Sequence, residues 1–274
     1  MLKRLLRVLI PLSLVILFIL PAIPVSAIKN GTFDGTSHPY VCLVVFYDAQ
    51  NKPLWRTTGE LISSTKVLTA GHGTYGTAGA RVWFLNTIPA SSPTGYPYGG
   101  PDSYHGTPYT NPDYRAIPNP GLPGFDYHDV GVVILDNPAP ITTYAALPSA
   151  GQSKTLRTMS LVDLVGYGVT SQVKGGGVSP SDSWTWNRQR NYAQANLVQS
   201  KDKLSSEYLK LSANPAMEKG STTFGDSGGP ILKAGTNIIL GINAFVTNSN
   251  CTGVTYAQRI DIQEILDWIA DPIP

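Results

Sequence analysis

Three short stretches hold the residues best suited to chemistry: "LTAGH" ending at His72, "HDVGVVIL" starting at His128, and "FGDSGGP" from Phe224 to Pro230. Glycine is favoured where a backbone turns tightly and other atoms approach its amides. A serine in such a turn, here Ser227, exposes its Oγ, and the amides of Gly225 and Ser227 can converge on one point. There they would bind the oxyanion of a tetrahedral intermediate. A glycine-rich hairpin turn would explain the same residues without chemistry. A neutral imidazole beside a serine acts as general base, and a carboxylate behind the ring fixes its tautomer. Among four histidines, context singles out His72, because it ends the apolar run "KVLTAGH", where a side chain can emerge at a rim. Asp113, Asp126 and Asp129 compete for the carboxylate role on composition alone, and Asp129 is favoured because it borders an apolar strand.

Other chemistries find little support. No HExxH, CxxC or closely spaced His/carboxylate set indicates zinc, so neither metal nor cofactor is expected. The Gly/Ser-rich stretch 171–183, "SQVKGGGVSPSDS", lacks the Gly-Lys-Ser/Thr ending of a phosphate loop and reads as a surface loop. Residues 1–27 read as a secretory signal: Lys3, Arg4 and Arg7, an apolar run to Leu20, then Val25-Ser26-Ala27 as a cleavage site. An uncleaved membrane anchor is the competing reading of that run. The chain has 20 Lys+Arg and 18 Asp+Glu, so loss of those three basic residues leaves 17 against 18. No basic cluster remains to attract nucleic acid or a membrane surface. An exported protein, with no nucleic-acid partner and no stable membrane association after signal cleavage, is expected.

The elements that would position these residues are short. Runs such as "VCLVVFY" (41–47), "DVGVVIL" (129–135) and "NIILGINAFV" (237–246) recur between Gly, Pro and Asn, the pattern of an antiparallel sandwich or barrel. Residues 86–127 carry no strand pattern and read as a long loop. Residues 261–270, "DIQEILDWIA", have helical spacing, and Asp261 with Glu264 resembles a capping box. This helix is expected to pack on the last sheet. A Pro/Ser interruption near 137–158 divides two strand-rich halves, giving units of 1–27, 28–145 and 146–274. Cys42 and Cys251 do not make a disulfide framework, so stability must come mainly from the core.

"LTAGH", "HDVGVVIL" and "GDSGGP", in that order, resemble the catalytic motifs of the chymotrypsin/trypsin-like serine proteases. The likeness extends through "GELI" (59–62), "GYG" (166–168) and "YAQRI" (256–260). The resemblance implies two six-stranded antiparallel β-barrels with the active site between them. It implies His72 as general base, Asp129 as its partner, Ser227 as nucleophile, and Gly225 and Ser227 amides as oxyanion hole. A secreted, monomeric serine endopeptidase acting on protein or peptide through an acyl-enzyme follows. The alternatives are a non-catalytic binding protein on the same fold, or an esterase using the same triad. Two family disulfides are missing, since Gly73, Thr57 and Thr223 stand where cysteines are common. Ser221 resembles the base of the substrate pocket. Val246 resembles its wall, where it would narrow the pocket toward small or medium apolar side chains. Family members mature by exposing an N-terminal Ile or Val, which implies an ion pair between Ile28 and Asp226 once the signal is cut.

Overall fold

The computed structural model describes residues 28–89, 94–115, 126–169, 188–199, 206–213, 219–247, 251 and 253–272. The signal reading (1–27) and the loop reading (171–183) lie outside these residues. Six strands close the first barrel: β2 (Val41–Tyr47), β3 (Pro53–Leu61), β4 (Lys66–Thr69), β5 (Gly79–Trp83), β6 (Ser103–Thr110) and β7 (Gly131–Leu135). The order around it is β2-β3-β4-β7-β6-β5, antiparallel throughout. Closure removes sheet edges, and it explains why every residue of β2 is buried.

The second barrel uses β8 (Leu161–Gly166), β9 (Asn191–Gln199), β10 (Tyr208–Ala213), β11 (Pro230–Lys233), β12 (Ile239–Val246) and β13 (Gly253–Arg259). They close in the order β8-β9-β10-β13-β12-β11. The short β1 (Thr32–Phe33), within the range expected for the first unit, pairs with β9 of the second barrel. Ile28 likewise belongs to the second core, with Val162, Leu164 and Leu209.

Three sequence expectations are corrected. β6 lies inside the 86–127 stretch that shows no strand pattern. Its pairing on both sides, with β5 and β7, overrides weak local propensity. The final helix, α2 (Gln263–Ala270), has no side-chain cap, because Asp261 instead accepts from Ser153 N and Oγ at 2.7 Å and from Arg259 Nε at 2.9 Å. Nor does α2 pack on the last sheet alone. Ile265 and Ile269 join the cluster that includes the first barrel, and Lys66 Nζ of β4 donates to the Ile269 and Ala270 carbonyls at 2.8 Å. A cation there complements the helix C-terminus.

Buried Arg190 ties the barrels together. Its Nε meets Asp34 Oδ2 at 2.7 Å, Nη2 donates to Gly35 O at 2.8 Å, and Nη1 donates to Val41 O at 3.0 Å. The guanidinium thus joins the N-terminal segment, β2 and the entry to β9. A buried charge is tolerated when paired and hydrogen-bonded in this way.

Candidate active site

His72 lies in a single helical turn, α1 (Gly71–Thr74), directly after β4. Gly71 lets that turn press on the chain entering β7, since a Cβ there would sit 2.9 Å from Val130 N. The close approach brings Asp129 to His72. Asp129 Oδ1 accepts the His72 backbone N–H at 2.7 Å, and Oδ2 lies 2.8 Å from His72 Nδ1. Donation from Nδ1 to the carboxylate leaves Nε2 as the basic atom. Burial disfavours the charged ring, yet the Asp129 charge and hydrogen bond, with Asp126 assisting, hold its pKa above the ordinary 6.5.

All four histidines have a carboxylate neighbour, so pairing alone does not identify the base. His38 meets Asp34 at 2.5 Å, exposed His105 meets Asp136 at 2.7 Å, and buried His128 lies 3.3 Å from Asp113. Asp126 faces Arg115 Nε at 3.3 Å. The serine motif makes the distinction. Gly228, with φ +76°, approaches the end of β4 so closely that a Cβ would lie 2.2 Å from Thr69 Oγ1 and 2.5 Å from Ala70 N. Ala70 precedes His72 by two residues, and Gly228 adjoins Ser227, so the motifs meet through these backbones.

Thr58 of β3 holds the serine loop from the other side, a role with no signal in the sequence. Its N–H donates to Ser227 O and its Oγ1 to Gly225 O, both at 2.9 Å. Gly225 has φ +93°, open to glycine and strained for other residues. Among the described residues, the amides of Gly225 and Ser227 donate to no backbone carbonyl. Two nearby amides free of backbone carbonyl partners are what a developing oxyanion requires.

Asp226, fully buried, anchors the loop. Its Oδ1 accepts from Gly168 N at 2.8 Å, and its Oδ2 from Thr223 N at 2.8 Å and Thr223 Oγ1 at 2.9 Å. The "GYG" glycines make this possible: a Cβ on Gly166 would fall 2.1 Å from Oδ1, and one on Gly168 2.5 Å from Oδ2. Burial pushes the Asp226 carboxyl up to about 6 against the opposing pull of those donors and of Arg56. Ile28 is also fully buried, and Lys29 beside it exchanges backbone hydrogen bonds with Ser221 at 2.8 and 3.0 Å. Among the described residues no hydrogen bond joins Ile28 to Asp226.

A cavity of about 160 Å³ adjoins Ser227, lined by Thr222, Thr223, Phe224, Asn243, Ala244, Phe245 and Val246. Val246 is therefore on the wall. Ser221 is not among the lining residues; it is buried with its Oγ 3.2 Å from Thr255 Oγ1. Asn243 opens the stretch "NAFVTN" (243–248) that resembles the pocket wall, but nothing in the sequence marks it for a role of its own. Nor does anything mark Gln258 of β13, whose Oε1 accepts the Asp129 N–H at 3.1 Å across a separation of 129 residues. Cys42 and Cys251 are both free and buried. Where a disulfide is common, a Cβ on Gly73 would lie 3.0 Å from Thr57 Cγ2 and 3.2 Å from Phe46. Among the described residues no His/Cys/Asp/Glu group is placed to hold a metal, and no helix is long and apolar enough to cross a membrane.

The sequence profile of the trypsin family matches residues 30–269. Comparison with curated proteins gives no match. HL collagenase superposes with a TM-score of 0.66 at 16% identity, covering 89% of this chain and 97% of its own. A scabies mite inactivated protease paralogue gives 0.62 at 18%, covering 89% and 98%. Human heparin binding protein gives 0.58 at 16%, covering 89% and 97%. At these identities the superpositions establish the two-barrel, chymotrypsin-like fold.

Proposed function

This chain belongs to the trypsin family, and from that premise we propose that it is an exported serine endopeptidase. Ser227 Oγ attacks the peptide carbonyl while His72 Nε2 takes its proton. Asp129 stabilises the imidazolium, and the Gly225 and Ser227 amides receive the oxyanion. His72 then protonates the leaving amine, and water, activated by the same ring, releases the acyl group. The observation that carries this reading is the two-point grip of Asp129 on His72, next to a serine loop whose Gly225 and Ser227 amides, among the described residues, donate to no backbone carbonyl.

A fluorophosphonate probe tests it. Labelling of the wild type that disappears in Ser227→Ala is expected; an unlabelled wild type would refute it. A non-catalytic binding protein is the second reading, favoured by two neighbours whose names state heparin binding and inactivation. The chain's retention of both His72 and Ser227 weighs against it. Peptide and ester substrates of matched side chain separate a peptidase from an esterase.

The proposal extends to the N-terminus. Cleavage after Ala27 frees an ammonium on Ile28, which is already buried and tethered through Lys29 to the segment leading to Asp226. Pairing with that carboxylate would make the export cut the activating cut. N-terminal sequencing of the secreted protein checks the cut. Full activity in a protein carrying extra residues before Ile28 would overturn the pairing.

A further inference from the structure

We propose that the cavity beside Ser227 selects a substrate side chain ending in a carboxamide, glutamine or asparagine, and that Asn243 reads it. The inference rests on the endopeptidase reading and names its substrate class. Asn243 is 2% exposed, and neither its Nδ2 nor its Oδ1 has a hydrogen-bond partner. Buried polar side-chain atoms are paired in the large majority of cases, so a carboxamide with neither atom paired, on a cavity wall, calls for an explanation.

The hydroxyl hydrogens of the lining threonines are engaged. Thr223 Oγ1 shares its one hydrogen between Val169 O and Asp226 Oδ2, each 2.9 Å away, and Thr222 Oγ1 donates to Thr255 Oγ1 at 3.3 Å. Both threonine hydroxyls have committed their hydrogens and keep only acceptor lone pairs, so apart from Ser227, Asn243 is the lining side chain that can still both donate and accept. It is also held against the serine loop: its backbone N–H donates to Gly229 O at 2.9 Å, and its carbonyl accepts from Gly228 N at 2.8 Å. A group bound by Asn243 is therefore placed relative to Ser227 by backbone alone.

Size and charge narrow the ligand. The volume, about 160 Å³, is close to the roughly 150 Å³ that accepts a benzene-sized ligand. A glutamine side chain is of that order. No lining residue is ionisable, so a lysine, arginine or carboxylate would enter without a counter-charge. Both Asn243 atoms are buried from water-sized contact, so the side chain must turn toward the cavity; a carboxamide then offers an oxygen to Nδ2 and an N–H to Oδ1, satisfying four polar atoms at once. An apolar side chain of equal size leaves both Asn243 atoms unpaired, and sites of this kind reject the analogue that lacks the partner. The narrowing by Val246 remains; the apolar preference inferred from it is replaced.

The test compares matched peptides with Gln, Met or Glu on the acyl side of the scissile bond. Wild type is expected to favour Gln over its near-isostere Met by about tenfold or more in kcat/KM, the worth of one to two net hydrogen bonds. Asn243→Leu should lose or invert that preference while raising Tm, since it removes two unpaired buried atoms. Equal or better cleavage of the Met peptide by wild type overturns the inference, as does an unchanged preference in Asn243→Leu. If no peptide is cleaved, the endopeptidase reading fails on its own. The same Gln and Met peptides are then titrated against the Ser227→Ala protein by calorimetry. Tighter Gln binding supports the role of Asn243, and equal binding refutes it.

Discussion

Asp129 and Asp226 are buried carboxylates on either side of the candidate centre, one from each barrel, and their surroundings differ. Asp129 faces a chargeable ring: it holds His72 at Nδ1 and at the backbone, and His72 gains basicity from it. Asp226 accepts hydrogen bonds from neutral donors, Gly168 and Thr223, with Arg56 acting on it only as a nearby charge, and burial lifts its own pKa to about 6. In the proposed reaction the first carboxylate acts on a proton. The second holds the shape of a loop through its hydrogen bonds to Gly168 and Thr223. Similar burial therefore serves electrostatics on one barrel and geometry on the other.

The sharpest way to break this contrast is Asp129→Asn. In Ser-His-Asp triads that change costs about 10⁴-fold in kcat through the wrong tautomer. The same loss is expected here, with an unfolding midpoint near wild type. The pH profile supplies the sign. Activity needs neutral His72, whose pKa is raised, so wild-type rate should climb with pH through a midpoint above 6.5. Without the Asp129 charge, burial, the largest influence, is opposed only by Asp126, and the limb should move to lower pH. A limb that stays in place would refute the assignment.

Gly168→Ala attacks the other carboxylate through shape. The new Cβ, 2.5 Å from Asp226 Oδ2 and 2.3 Å from Thr223 Oγ1, must displace the loop. A shift near 1 Å is worth about 10²-fold in rate, so kcat should fall by roughly that factor while the His72 limb stays put. Wild-type kcat would show that Asp226 does not set the amides.

Stability against pH separates the two states proposed for Asp226. In a chain extended beyond Ile28 its pKa is raised, so its contribution is full below the usual carboxylate range and is lost as pH rises through about 6. The loss relative to Asp226→Asn is on the order of 3 kcal/mol. In a chain starting at Ile28, pairing with the ammonium depresses the pKa and reverses the slope, so stability is lost as pH falls instead. Parallel slopes in the two chains would dismiss the ion pair. Last, Thr57→Cys with Gly73→Cys staples β3, which carries Thr58, to the turn bearing His72. Closing that loop of about 15 residues is worth about 3 kcal/mol of stability. Rates should change little, as chemical unfolding and kinetics on one sample will check.

The three motifs were legible because each places its own chemistry locally. His72 follows a strand, Asp129 precedes one, and Ser227 sits in a glycine turn, so neighbours in sequence reveal the environment. β6 was not legible, since Ser103–Thr110 becomes a strand only between β5 and β7. The Asp261–Glu264 pattern was legible and misleading. Asp261 is drawn to Ser153, 108 residues away, rather than to the amides beside it. Thr58 and Gln258 had no local signal, because each matters through partners from distant strands; Asn243 lies in the stretch resembling the pocket wall, but its lack of a partner is a property of the packed structure.

By itself the sequence determined the residue types that can do the chemistry, their order, and a succession of short apolar strands between turn residues; closure into two barrels was implied only by the family resemblance. The former follow from side-chain chemistry and from strand-length apolar runs bounded by Gly, Pro and Asn, both readable over a few residues. Only the tertiary structure decided which of four His–carboxylate pairs lies beside the serine loop, which glycines are fixed by Asp226, and which carboxamide lacks a partner. These depend on close approach between segments 57 to 167 residues apart. Burial and hydrogen-bond satisfaction are properties of the packed whole, and no local stretch contains them.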